Sequence, residues 1–252
     1  MKYIRDPNCE CSKFRELNEI PFTERVSITE YCKDGYMYSN GKVKECTCHK
    51  AYRGISKYEI MAKQNSLPTF EQLGQFKYKG DSDCYNKLKV LPSKLIDHPQ
   101  YSNTIIYVAG PEGNQKTTSC AKVLCNVLKT GKVVMYIDFN ALAKRMLDLD
   151  YDDQDLRDVD LLIVDNCFSG ETINFKSTYN AIFDIVLKRH NPTILIASKK
   201  LEDIIKEPNH YDPEVLGSMQ NRIMARGSAI YFPDNIDNIK LKEQGPVDLW
   251  KL

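Results

Sequence analysis

Residues 104–109 read Thr-Ile-Ile-Tyr-Val-Ala, an unbroken β-branched and apolar run. Such a run predicts a strand buried on both faces. Four comparable runs follow, at 132–138, 159–166, 193–198 and 229–232. Between them lie amphipathic stretches that end near Leu128, cover 140–148 and cover 175–189. Strand and helix therefore alternate, which predicts an α/β fold with a five-stranded parallel sheet, helices on both faces, and a ligand site at the carboxy-terminal strand ends. Upstream, Tyr52, Ile55, Tyr58, Ile60 and Met61 predict a helix to Gln64, broken by Asn65-Ser66-Leu67-Pro68. The break divides the chain into a small amino-terminal domain, 1–64, and a principal domain, 65–252. In the first, Asp34-Gly35 and Asn40-Gly41 predict tight hairpin turns.

The 252 residues are 42% hydrophobic and 27% charged, enough apolar material for a real core beneath a solvated surface. That excludes a wholly disordered chain. No apolar run approaches the roughly 18 residues that cross a bilayer, and the start, Met1 to Asp6, carries no apolar leader. A cytoplasmic protein with no membrane partner is expected. The net charge of +1 gives no global basic field, so any nucleic-acid contact must be local. The seven aspartates between Asp148 and Asp160 read as a solvated connection, and Lys77, Lys79, Lys87 and Lys89 as a solvated face.

Five of nine cysteines fall in the first 48 residues, at Cys9, Cys11, Cys32, Cys46 and Cys48, with His49 next. In a cytosolic chain clustered thiols more often hold a metal than form disulfides. Zinc needs about four soft ligands, usually as two close pairs, and the C-x-C pairs here supply them. Five cysteines and a histidine exceed one ion's needs, so Cys9 or Cys11 is spare, or His49 substitutes. Cys84, Cys120, Cys125 and Cys167 have apolar or helix-forming neighbours and read as small buried hydrophobes.

Directly after the first core strand comes Gly110-Pro111-Glu112-Gly113-Asn114-Gln115-Lys116-Thr117-Thr118, then a helix. The P-loop G-x-x-x-x-G-K-[ST] sets backbone N–H groups round phosphates, a lysine on the outer phosphates and a hydroxyl on magnesium. Gly110, Lys116 and Thr117 fill three of its places, while Gln115 stands where the second glycine belongs. Residues 159–166 resemble a Walker-B strand, whose Asp165 would hold magnesium through water opposite Thr117.

With these features the sequence resembles the AAA+ helicase loaders of the DnaC/DnaI type, including phage versions, with the IstB transposition ATPases as relatives. The resemblance covers nearly the whole chain. It rests on Cys32-Lys33-Asp34-Gly35, Cys46-Thr47-Cys48, the junction at 65–68, the loop at 110–118, Leu161 to Asp165 and Ile196-Ala197-Ser198. It implies an AAA+ P-loop core, preceded by a zinc module and without a carboxy-terminal lid, since about twenty residues follow the last strand. It further implies ATP, Mg2+ and Zn2+ as cofactors. The implied function is loading: the zinc module binds a replicative hexameric helicase, and the ATPase domain forms a homo-oligomer on single-stranded DNA and places the helicase there. The setting would be a bacterial cytoplasm, with the chain cellular or phage-encoded.

Residue by residue, Lys116 would meet the outer phosphates, Thr117 and Asp165 would hold magnesium, and the loop backbone would cradle the phosphates. Arg222, or Arg226 as second choice, would be the finger reaching a neighbouring subunit's nucleotide. The family's acid beside Asp165 is here Asn166, which can hydrogen-bond a water but cannot act as a base. Slow, regulatory ATP hydrolysis is therefore expected. The sensor asparagine aligns with Lys199, or with Ser198. The alternatives are a transposition ATPase of the IstB type and a nucleotide-independent helicase adaptor or inhibitor.

Overall fold

The computed structural model of the chain describes residues 8–15, 17–20, 30–77, 82–97, 103–146, 154–168, 175–206 and 212–232. The amino-terminal part begins with short 3-10 turns at Glu10–Lys13 and Leu17–Glu19, followed by strands β1 (Glu30–Lys33), β2 (Tyr36–Ser39) and β3 (Lys42–Glu45). The three pair as an antiparallel meander. Both connections are two-residue turns with positive φ throughout, 49° and 82° at Asp34-Gly35 and 48° and 74° at Asn40-Gly41. That is the type I′ geometry whose twist matches the flanking strands.

Helix α1 (Thr47–Gln64) starts five residues before the apolar spacing alone indicates, because Cys46 caps it by accepting a hydrogen bond from His49 N–H. Its buried side, Cys48, Ala51, Gly54, Ile55, Tyr58 and Ala62, follows the three-to-four spacing of one helix face. Ile60, read as part of that face, is 62% exposed. After the break, Thr69 and Gln72 form a capping box for α2 (Phe70–Gln75), and α3 (Ser82–Asp97) follows. Neither short α2 nor α3 was indicated by the pattern of the sequence.

The rest alternates strand and helix: β4 (Ile105–Ala109), α4 (Lys116–Lys129), β5 (Val134–Asp138), α5 (Phe139–Met146), α6 (Gln154–Asp158), β6 (Leu161–Cys167), α7 (Phe175–Lys188), β7 (Thr193–Ala197), α8 (Leu201–Ile205), α9 (Pro213–Arg226) and β8 (Ser228–Tyr231), with α6, α8 and α9 added to the expected elements. The five core strands are parallel in the order β5-β6-β7-β4-β8. Strand β7 thus lies between the loop strand β4 and the acid-bearing β6. The sheet is buried on both faces, and alternate residues divide between two cores. Ile105, Tyr107 and Ala109 pack with α5, α7, α8 and α9, while Ile106 and Val108 pack with helices α1 to α4. No helix among the described residues is long and apolar enough to cross a membrane.

The acidic connection is described from residue 154 onward. There Asp160 pairs with Lys132 at 3.0 Å and accepts from Val133 N–H, so part of it is structural as well as solvated. Lys87 and Lys89 are exposed on α3, as expected, and Lys79 lies outside the described residues. Cys84, Cys120, Cys125 and Cys167 are all buried. The expected absence of a carboxy-terminal lid concerns residues 233–252, which also lie outside them.

Helix α1 packs on α4, where a Cβ on Gly54 would fall 2.2 Å from the Leu128 carbonyl oxygen. In Gly54→Ala the helix-propensity gain of roughly 1 kcal/mol opposes this clash. The clash wins because its partner is backbone and cannot rotate away. The variant should lose about 1–3 kcal/mol of stability. Urea unfolding should show a lower midpoint with an unchanged slope.

Candidate nucleotide site and cysteine centre

Strand β4 delivers the chain into the loop at Gly110, whose φ is +149°. A Cβ there would fall 2.6 Å from the Phe232 carbonyl oxygen, so two backbones pass where only glycine fits. Gly113 (φ 79°) and Gln115 (φ 62°) are left-handed, and α4 starts at Lys116. Successive N–H groups in such a turn converge on an anion-sized concavity, and the helix start adds partial positive charge. Gln115 holds the backbone shape that glycine would supply, at a cost of roughly 1–2 kcal/mol. Its Oε1 is buried without a hydrogen-bond partner.

Lys116 is buried, and its Nζ donates to the carbonyls of Gly110 and Pro111, each at 2.6 Å. Burial lowers its pKa, against the pull of Asp165 and Glu112. Thr117 donates to Asp165 Oδ2 at 2.9 Å. A hydroxyl and a carboxylate side by side are the oxygen donors that a magnesium ion takes, directly or through water. The acid reaches this point although β7 separates β6 from β4. A register shift between Val164 and Cys167 bulges β6, so that Asn166 takes φ 58° and is exposed while Cys167 returns to the core. Phe168, also left-handed, anchors the far side of the bulge by stacking on Phe183 at 5.1 Å.

Residues 112–118, 165–167 and 196–198 line one cavity of about 580 Å3 at the carboxy-terminal strand ends. The loop residues Glu112 to Thr118 thus meet Asp165 and Asn166, with Gly110 and Pro111 at the loop's base. Of the two sensor alternatives Ser198 lines the cavity, whereas Lys199 offers its carbonyl to the Tyr107 hydroxyl at 2.7 Å. Arg222 does not line it: half-buried on α9, it donates from Nη1 to the Leu187 carbonyl at the end of α7. Arg226 is the last residue of α9. Two residues given no role by sequence reasoning also belong here. The Tyr136 hydroxyl donates to Asp165 Oδ2, and Asp138 accepts from Asn166 Nδ2 at 2.7 Å. Burial, with the adjacent Asp165 charge, pushes the Tyr136 phenol far above its usual range. The signal for both was their alternation at the end of β5, legible only once β5 is known to flank β6.

At the other end of α1, the sulfurs of Cys9, Cys11, Cys46 and Cys48 lie within 4.8 Å of one another, all four side chains buried. Cys46 and Cys48 are 3.2 Å apart, Cys11 and Cys48 3.4 Å. Tetrahedral zinc with bonds of about 2.3 Å sets sulfurs roughly 3.8 Å apart, so four thiolates here could hold one such ion. Burial raises the Cys9 thiol, but hydrogen bonds with Thr47 and with the backbone at Cys11 and Cys48 outweigh it and bring it down to about 6. Cys32 is buried beside the four but is not one of them, and His49 Nδ1 is bonded to Glu45 Oε1 at 2.8 Å.

No family model matches the sequence, and a search of curated proteins finds no match. Solved structures do match, and they share this fold. The chain is similar to DnaI, with 12% identity over 66% of this chain and 89% of that one and a TM-score of 0.52. It is similar to the replication initiator DnaA bound to AMPPCP and single-stranded DNA, with 16% identity, 67% of this chain, 51% of that one and TM-score 0.51. It is also similar to domain III of the Thermotoga maritima replication initiation protein DnaA, with 17% identity, 67% and 70% coverage and TM-score 0.51. The match spans about half the length of the AMPPCP-bound DnaA chain. These likenesses establish the fold, and the resemblance to the DnaC/DnaI type read from the sequence agrees with them.

Replacing one of the four clustered cysteines should abolish metal retention and replacing Cys32 should not. Purified wild type and Cys32→Ser should carry about one zinc per chain by elemental analysis, and Cys48→Ser almost none.

Proposed function

We propose that this chain is an ATP-dependent helicase loader. On this reading its AAA+ core binds ATP as a switch, and its amino-terminal cysteine module, residues 1–64, docks a replicative hexameric helicase. The supporting observation is the convergence of Lys116, Thr117 and Asp165 on one cavity at the strand ends, in a fold shared with DnaI. ATP would lie with its phosphates against the loop backbone from Gly113 to Gln115. Lys116 would exchange the Gly110 and Pro111 carbonyls for the outer phosphate oxygens. Thr117 and Asp165 would hold magnesium, which when bound neutralises charge on the phosphate oxygens. The four cysteines would hold zinc, and the fold of a module with so small a core would depend on it.

Asn166 can orient a water but not deprotonate it, so turnover is slow. Arg222 serves as a finger in trans only after releasing the Leu187 carbonyl, which makes assembly on single-stranded DNA the step that completes the site. One arrangement favours a second reading, a nucleotide-independent adaptor. Gln115 buries an unpartnered oxygen in the loop while Lys116 bonds the loop's own carbonyls.

Purified protein should bind ATP and hydrolyse it slowly, faster with single-stranded DNA, and Lys116→Ala should lose binding by at least about tenfold. Vigorous turnover that vanishes in Lys116→Ala would sink the switch. Absence of binding in the wild type would leave the adaptor.

A further inference from the structure

The loop brings Glu112 to the cavity, but the place beside Asp165 on β6 is taken by Asn166, and the acid nearest to it closes the neighbouring strand. Asp138 closes β5 and is the register partner of Asp165. Its Oδ1 accepts from the N–H groups of Asn140 and Ala141 at 2.9 and 3.1 Å, capping α5, and its Oδ2 accepts from Asn166 Nδ2 at 2.7 Å. Asn166 in turn sits on the bulge of β6, left-handed, exposed and lining the cavity.

A primary amide carries donors on one arm and an acceptor on the other. An ionised carboxylate only accepts, so Asp138 dictates which arm of Asn166 it holds. The amide nitrogen is committed to Asp138, and the carbonyl Oδ1 is the arm left over. That oxygen has no hydrogen-bond partner among the described residues. Three of the roughly four lone-pair sites of Asp138 are thus taken, two by the α5 cap and one by the amide.

We propose that Asp138 is a positioning residue. It locks the Asn166 amide so that the carbonyl, standing where related sites have an acid, accepts a hydrogen bond from the water that attacks the terminal phosphate of ATP. This rests on the nucleotide reading above. In the attack, the water oxygen bonds to the terminal phosphorus and the bond from phosphorus to the bridging oxygen breaks. The electron pair of that bond stays on the departing diphosphate. One water proton remains on the released phosphate and the other passes to solvent, since the amide takes neither. The negative charge that other sites put on the residue beside the magnesium ligand is here one strand away, and the chain keeps the orientation of the water while forgoing its deprotonation.

The test separates ATP affinity from turnover in three variants. Asp138→Asn retains an acceptor for the α5 cap but offers an amide to Asn166, which must turn its own carbonyl inward. Turnover should fall roughly tenfold, with ATP affinity within about twofold of wild type. In the exchanged pair, Asp138→Asn with Asn166→Asp, the introduced amide donates to the introduced carboxylate and a charged oxygen faces the water. Turnover should then rise at least roughly tenfold above wild type. A cap for α5 and nothing more predicts wild-type turnover in Asp138→Asn and the same gain from Asn166→Asp alone as from the exchanged pair, whereas the positioning role predicts a smaller gain from the single variant, whose two carboxylates repel. Wild-type turnover in Asp138→Asn, or an exchanged pair no faster than wild type or than Asn166→Asp alone, overturns the assignment while ATP still binds. Absence of ATP binding in the wild type instead overturns the nucleotide reading.

Discussion

A carboxylate that is 4% exposed must be held by donors, and the arrangement of the site follows from how Asp165 is held. Thr117 and the Tyr136 hydroxyl share its Oδ2, and the Asn166 backbone N–H donates to Oδ1 at 2.7 Å. These donors come from the loop helix, the edge strand β5 and the bulge of β6. With β7 inserted, the strands carrying loop and acid stand two spacings apart, about 9.6 Å. The bulge and the reach of Thr117 close that gap. Binding a divalent ion would satisfy the same oxygens, so the present donors are those that an ion would displace or join.

The two cores explain why this sheet tolerates a strained active edge. Each β4 residue from Ile105 to Ala109 is fully buried, and side chains alternate strictly between the layers. Register is therefore set by apolar packing along the whole strand. Left-handed Gln115, Asn166 and Phe168 all lie at the carboxy-terminal edge or just beyond it, where the packed strands overdetermine their positions.

Much of this was legible in the chain. The loop, its lysine and threonine, and the aspartate after a buried strand carry their spacing with them, so Lys116, Thr117 and Asp165 could be assigned before any fold was known. The C-x-C pairs likewise pointed to one metal centre, but spacing could not say which of five thiols meet. That depends on the turn at Glu10–Lys13 folding Cys9 and Cys11 onto the start of α1. Tyr136 and Asp138 were illegible because their role needs the strand order, which has no trace in local pattern. Helix α3 hid for another reason: its buried Cys84 and Leu88 form a narrow stripe among exposed Asp83, Lys87 and Lys89, too thin to outweigh the charges. Arg222 was chosen by family likeness alone, and its hydrogen bond to Leu187 has no counterpart in sequence spacing.

Helix α1 begins at a cysteine of the four-thiol cluster and passes, at Gly54, against the backbone of the helix that opens with Lys116 and Thr117. Ile55, Tyr58 and Ala62 belong to the same apolar cluster as Leu124, Val127 and Leu128. The cysteine centre and the phosphate loop are thus the two ends of one lever made of crossed helices, with its fulcrum at a glycine. A force applied to the amino-terminal module would meet no slack linker in which to dissipate: it would arrive as torque on the helix whose first turn carries Lys116 and Thr117.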